Sequence, residues 1–105
     1  MEFDSYAFVM LCSGPRADEY DGEEAERLQE AHLDHLGRMR EAGKLAVAGP
    51  FRDRYDESLR GVCIYSTSLE EARELAAQDP AVQAGSMAVQ AMTWLTRKGA
   101  LRWDG

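Results

Sequence analysis

The chain has 105 residues, of which 45% are hydrophobic and 30% charged, and its formal net charge is −7. This size is typical of one globular domain. The acidic balance argues against a nucleic-acid or anionic-membrane surface, since both need a basic footprint. No stretch approaches the roughly 20 apolar residues of a membrane span. The first residues lack a basic n-region, so we expect a cytoplasmic protein without a signal peptide.

Four segments have the apolar, β-branched or aromatic composition of strands. In the first of them both faces are apolar from Tyr6 onward, which predicts a strand that is covered on both sides. Cys12 and Cys63 lie inside such runs without CxxC spacing, so we expect buried free thiols. The expected strands are residues 3–12, 44–49, 60–66 and 86–96.

Two helices are predicted between the strands. In the first, residues 23–42, the apolar positions recur at helical spacing and both histidines of the chain fall on that apolar side. The second opens at Ser68, which forms a capping-box pattern with Glu71. We expect it to end before Asp79-Pro80, because proline disfavours helix in the residue that precedes it.

The resulting order, βαββαβ, predicts a ferredoxin-like α+β fold, with a four-stranded antiparallel sheet and two helices on one face. We assign residues 1–96 to this domain and residues 97–105 to a tail, in which Trp103 is the one residue expected to form apolar contacts. The second sheet face carries too many apolar side chains to remain exposed to solvent, so we expect a homodimer with the two sheets face to face. Strand four contributes one of two sets to that face, Met92 and Trp94 or Val89 and Leu95.

Several motifs occur in an order that resembles a known family. They are His32-Leu-x-x-Leu, Gly43-Lys44-Leu45, Ala48-Gly49-Pro50-Phe51, Gly61, the helix 67–78, Asp79-Pro80, Gly85 and Trp94. Over about residues 6–95 the chain resembles the YciI-like (YCII-related) proteins, which are small members of the dimeric α/β-barrel superfamily.

The resemblance implies the ferredoxin-like fold, a dimer, and an active site of one histidine and one aspartate. His32 matches the histidine of helix one and Asp79 matches the aspartate, whereas His35 falls where related sequences vary and inherits no role. The resemblance fixes no activity. One relative is similar to a dehydrochlorinase of a chlorinated hydroxyquinol, and the wider superfamily includes muconolactone isomerase, heme-dependent chlorite dismutases and cofactor-free monooxygenases.

A histidine with a carboxylate partner is a natural general acid–base pair, because imidazole takes and returns protons near neutral pH. We therefore expect a cofactor-free lyase or isomerase with a pocket between helix one and the sheet. His32 is the expected base or acid and Asp79 its orienting partner. An apolar pocket suits an unknown aromatic or lactone-like small molecule. The candidate substrate-binding residues are His35, Phe8, Met39, Phe51 and Trp94.

Other interpretations of the same residues stay open. A histidine in an apolar stripe is often a hydrogen-bonded core residue, and an aspartate before proline is often a turn or cap residue. The chain is then a non-catalytic metabolite-binding or interaction dimer. His32 and His35 could share a metal ion only with a third ligand such as Asp79, and their spacing differs from the HExxH motif, so we expect no metal.

Overall fold

The strands and helices follow the predicted order with two additions, a 3₁₀ turn before the first helix and a short helix before the last strand. The computed structural model describes residues 1–102, so the expectation for Trp103 lies outside the described residues. A short 3₁₀ turn, Ala17–Glu19, precedes the first helix. The elements are β1 (Phe3–Ser13), α1 (Gly22–Glu41), β2 (Leu45–Pro50), β3 (Leu59–Tyr65), α2 (Leu69–Ala77), α3 (Pro80–Gln83) and β4 (Met87–Arg97).

The four strands form one antiparallel sheet in the order β2-β3-β1-β4, so the fold is ferredoxin-like, as predicted. The expectation of two helices needs a correction, because α3 is a third. The Asp79-Pro80 pair that ends α2 also begins α3, with Asp79 as N-cap and Pro80 in the first turn. Proline suits that position because its missing N–H has no partner to lose there. None of the helices within residues 1–102 has the length and apolarity needed to cross a bilayer.

One sheet face is covered by the helices and holds the hydrophobic core. β1 contributes Ala7, Val9 and Leu11, and the small side chains of Ala72 and Ala76 allow α2 to pack closely on them. The start of α2 is capped as expected, since the Ser68 side chain accepts a hydrogen bond from the Glu71 amide. The Glu71 carboxylate does not return to Ser68 but pairs with Lys44 at 2.8 Å. Both cysteines are free thiols, but only Cys63 is buried as predicted, whereas Cys12 is partly exposed.

The other sheet face is open in a single chain and carries an aromatic cluster. Phe8 packs edge-on against Trp94, with ring centroids 5.9 Å apart, and Tyr6 lies 6.4 Å from the same indole. Trp94 and Met92 remain 39% and 45% exposed. Of the two alternative β4 sets, the structure therefore places Met92 and Trp94 on the open face.

A β-bulge interrupts the pairing of β1 with β3. Leu11 is opposite Gly61, but Cys12 is opposite Leu59, so Arg60 is an extra residue without a partner on β1. A Cβ atom on Gly61 would lie 2.6 Å from the Gly49 carbonyl oxygen, so glycine is needed where β2 approaches β3. Bulges twist a strand and redirect a side chain, and this one lies beside the site described next.

Candidate active site

His32 and Asp79 form a buried pair across 47 residues of sequence. The His32 Nδ1 atom and the Asp79 Oδ2 atom are 2.5 Å apart. The residues are only 4% and 2% exposed. Because the carboxylate accepts, Nδ1 is the donor, and the neutral ring then carries its proton on Nδ1.

The position of Asp79 at the start of α3 fixes the pair. Its second oxygen, Oδ1, accepts a hydrogen bond of 2.9 Å from the Ala81 amide. One carboxylate therefore caps a helix and holds an imidazole at the same time. A charged group is stabilised at a helix N-terminus by the free amides there, so the aspartate has a fixed orientation before any ligand binds.

His32 of this pair borders a cavity of about 300 Å³ between α1, β2 and β3. His32 lines it, and since Nδ1 is engaged with Asp79, Nε2 is the ring nitrogen left for a bound molecule. Much of the lining is apolar and comes from α1, from β2 and the residue after it, and from one end each of β1 and β4. These apolar residues include Leu11, Leu33, Leu36, Pro50, Phe51 and Met87.

The negative charge of Asp79 contributes to the raised pKa of two buried groups of β3. Burial raises the pKa of the Cys63 thiol to about 12, and Asp79 adds to the increase. Burial also raises the pKa of the Tyr65 hydroxyl, with smaller contributions from Cys63 and Asp79. At neutral pH Cys63 therefore stays a protonated thiol, which is a poor nucleophile.

Only one of the predicted aromatic walls lines this cavity. Phe51, directly after β2, does so. Phe8 and Trp94 are in contact with each other on the opposite face of the sheet, so their placement in a pocket beneath helix one needs a correction. The physical reason is strand alternation: Val9 lies on the helix-covered face, so its neighbour Phe8 points to the other one. In β1 both faces are apolar, and the sequence could not tell which one the helices cover.

His35 and Met39 also lie away from the cavity lining. The His35 side chain is buried, and its Nε2–H donates to the Leu75 carbonyl oxygen at 2.9 Å. Met39 packs against the hydrophobic core cluster. His35 thus links α1 to α2, while His32, three residues earlier on the same helix, links α1 to α3.

Three polar residues on the cavity were not predicted from the sequence. Gln29 lies one turn before His32 on α1, and helical spacing alone could have indicated it. Arg54 belongs to the segment that joins β2 to β3. Arg60 is the bulge residue of β3. Neither arginine has a sequence signal that places it on the cavity.

The metal alternative depended on three ligands meeting, and the described residues do not provide them. In residues 1–102 no group of three or more His, Cys, Asp or Glu side chains is arranged to hold a metal ion. Instead of turning toward Asp79, the His35 ring is bound to a backbone carbonyl of α2.

The family of the chain is decided by its sequence profile. The profile of the YCII-related domain matches residues 7–95. The chain belongs to the YCII-related family. This match confirms the resemblance carried by the motifs from helix one to Trp94. A comparison with curated protein sequences finds no match.

The YCII-related fold is also found in a solved enzyme. The chain is similar to 5-chloro-2-hydroxyhydroquinone dehydrochlorinase (TftG) from Burkholderia phenoliruptrix, solved in complex with 2,5-dihydroxybenzoquinone. The TM-score is 0.59 and the identity 19%, over 90% of this chain and 95% of the other. At this identity the similarity shows a common fold.

Proposed function

We propose that this YCII-related protein is a lyase that moves protons on a small ring compound bound beside His32. The observation that carries the proposal is the 2.5 Å contact between His32 Nδ1 and Asp79 Oδ2 at the edge of a cavity. A histidine that only filled the core would not need to line a cavity. His35 provides the comparison, since it is equally buried, bonded to backbone and absent from the lining.

The arrangement gives each residue of the pair one task. His32 Nε2 takes a proton from the bound molecule and returns it to another atom. Asp79 keeps the acceptor nitrogen free of hydrogen and stabilises the imidazolium that forms. The apolar lining, including Leu33, Leu36 and Phe51, removes water and provides surfaces for a planar ring.

The structural relative supplies a concrete reaction to test. Dehydrochlorination of 5-chloro-2-hydroxyhydroquinone can proceed by moving one hydroxyl proton to the carbon that bears chlorine. A second hydroxyl proton then leaves as chloride departs with the C–Cl electron pair, and a hydroxybenzoquinone remains. The ring loses one proton and one chloride, so no external oxidant is needed. A residue that takes a proton and gives it back is the catalyst this sequence of steps requires.

Chloride release tests the proposal. We expect the purified protein to release chloride from 5-chloro-2-hydroxyhydroquinone faster than buffer does, with one quinone formed for each chloride. Ion chromatography and quinone absorbance measure the two products. A protein whose melting temperature rises with 2,5-dihydroxybenzoquinone, but which releases no chloride, would be a binding module, and the lyase proposal would be wrong for this substrate.

We also propose that two chains associate through the open sheet face. The support is the aromatic and methionine cluster of Phe8, Met92 and Trp94, which a single chain leaves partly exposed. Apolar patches of this kind mark interaction surfaces in soluble proteins. Sheet faces that pack on each other also remove both patches from water at once, in a self-complementary contact.

Analytical ultracentrifugation checks this association. We expect a dimer for the wild type and a monomer for Trp94→Glu, because the new carboxylate would be buried without a partner. Leu95→Glu is the matched control, since Leu95 is 54% exposed and lies on the other face of the same strand. A monomeric wild type, or an undisturbed Trp94→Glu dimer, would contradict the proposed interface.

A further inference from the structure

We propose that the cavity beside His32 selects anionic ring compounds, and that Arg60 binds their negatively charged oxygen. This inference rests on the proposed function in taking the cavity as the substrate site. Besides His32, the ionisable residues that the structure places on the lining are Arg54 and Arg60, and no described aspartate or glutamate lines it. A chain with a net charge of −7 thus presents only basic groups to this cavity.

The β-bulge explains how Arg60 reaches the cavity. The bulge breaks the alternation of β3, because Gly61 lies opposite Leu11 and Leu59 lies opposite Cys12, so these two residues face opposite sides of the sheet and Arg60 is the extra residue between them. It is partly buried and borders both the cavity beside His32 and a smaller neighbouring cavity of about 170 Å³. The side chain therefore lies where the two spaces meet.

Arg60 has no carboxylate partner among residues 1–102. Ion pairs occur elsewhere in that range, at Arg16–Glu19, Lys44–Glu71 and Lys98–Glu2, but not at Arg60. Because no carboxylate occupies the Arg60 guanidinium, an anionic ligand can bind it with charge-assisted and often bidentate hydrogen bonds. The planar fork of arginine suits two adjacent ring oxygens better than a lysine does.

Arg54 is a second cation on the same cavity, and we expect it to bind an anion less tightly than Arg60 does. It is exposed, and its guanidinium donates to the Leu59 carbonyl oxygen at 3.4 Å, which is a long hydrogen bond. Its bond to Leu59 ties it to the residue just before Arg60. Arg54 is thus placed to attract an anion toward the cavity, while Arg60 holds it.

This charge pattern fits the proposed proton transfer. When His32 removes a hydroxyl proton, the ring oxygen becomes negative, and a fixed cation beside it stabilises that charge as it develops. A compound that is already an enolate, such as 2,5-dihydroxybenzoquinone, is a vinylogous carboxylic acid and is anionic at neutral pH. It is therefore the probe for this site, and resorcinol, a neutral diphenol of similar ring size, is the comparison.

Isothermal titration calorimetry with the two probes tests the inference. We expect wild type to bind 2,5-dihydroxybenzoquinone more tightly than resorcinol. Arg60→Gln should lower the affinity for the anion about 10- to 100-fold, which is the usual effect of losing a charged hydrogen bond. It should leave the affinity for resorcinol unchanged. Arg60→Lys should recover part of the affinity. Arg52→Gln is the control, because it removes the same charge from an exposed residue that is not on the lining.

The outcomes separate this inference from the lyase proposal. Equal affinity of Arg60→Gln and wild type for 2,5-dihydroxybenzoquinone, with folding verified by circular dichroism, would overturn the role of Arg60. So would a wild type that binds resorcinol as tightly as the anion, or an equal loss in Arg52→Gln. Anion binding that depends on Arg60 without chloride release would retain the inference and refute the lyase. Chloride release that is unchanged in Arg60→Gln would retain the lyase proposal and refute the role of Arg60.

Discussion

Replacing His32 with glutamine will lower the rate of chloride release about 10²- to 10⁴-fold, the usual contribution of a general acid–base group. Glutamine fills a similar volume, and its amide can still donate to Asp79. It cannot take a proton at neutral pH, so the fold should survive while proton transfer is lost. Initial rates of chloride release and circular dichroism spectra measure the two properties.

His35→Gln is the matched control for this experiment. Both histidines lie on α1, are 4% exposed or less, and make one hydrogen bond to a residue of the second half of the chain. Only His32 lines the cavity. We expect His35→Gln to keep the wild-type rate, because glutamine can still donate to the Leu75 carbonyl. Equal rates for wild type and His32→Gln would remove His32 from the chemistry.

Replacing Asp79 with alanine will destabilise the protein by about 2–4 kcal/mol. Loss of the α3 N-cap contributes about 1 kcal/mol. A buried His32 Nδ1–H without an acceptor contributes about 1–3 kcal/mol more. For a domain of this size the sum corresponds to a fall in Tm of the order of 10–20 °C. Urea denaturation at equilibrium measures the free energy of unfolding directly.

Two further variants separate the capping role of Asp79 from the pairing role. Ser68→Ala removes only an N-cap, that of α2, and should cost about 1 kcal/mol. Asp79→Asn keeps an oxygen for Ala81 and another polar atom near His32, so it should retain most of the stability while it loses the charge that supports the imidazolium. If Asp79→Ala costs no more than Ser68→Ala, the buried pair adds nothing to stability.

The strand and helix order was readable from the sequence because each signal is local. Ser68 marks the start of α2 and Pro80 marks its end by their own chemistry, and alternation or helical spacing marks the rest. The resemblance to the YCII-related family also indicated that His32 and Asp79 share one site. In the structure their side chains are in contact.

The remaining features depend on information that the sequence does not carry locally. β1 is apolar on both faces, so the side that holds Phe8 was undetermined until the helices were placed. Arg60 reaches the cavity through a register shift between β1 and β3, and a register shift depends on two distant segments. The net charge of −7 gave no indication that basic residues line the cavity, because their position there also depends on how distant segments pack.

The protonation pattern of the two histidines tests the central claim most directly. Heteronuclear NMR of the imidazole nitrogens in mildly alkaline buffer reports which nitrogen of each neutral ring carries the proton, and His35→Gln assigns the signals. We predict opposite tautomers: the proton on Nδ1 of His32, where Asp79 accepts it, and on Nε2 of His35, where Leu75 accepts it. A His32 ring protonated on Nε2 would leave no basic nitrogen facing the cavity and would contradict the account.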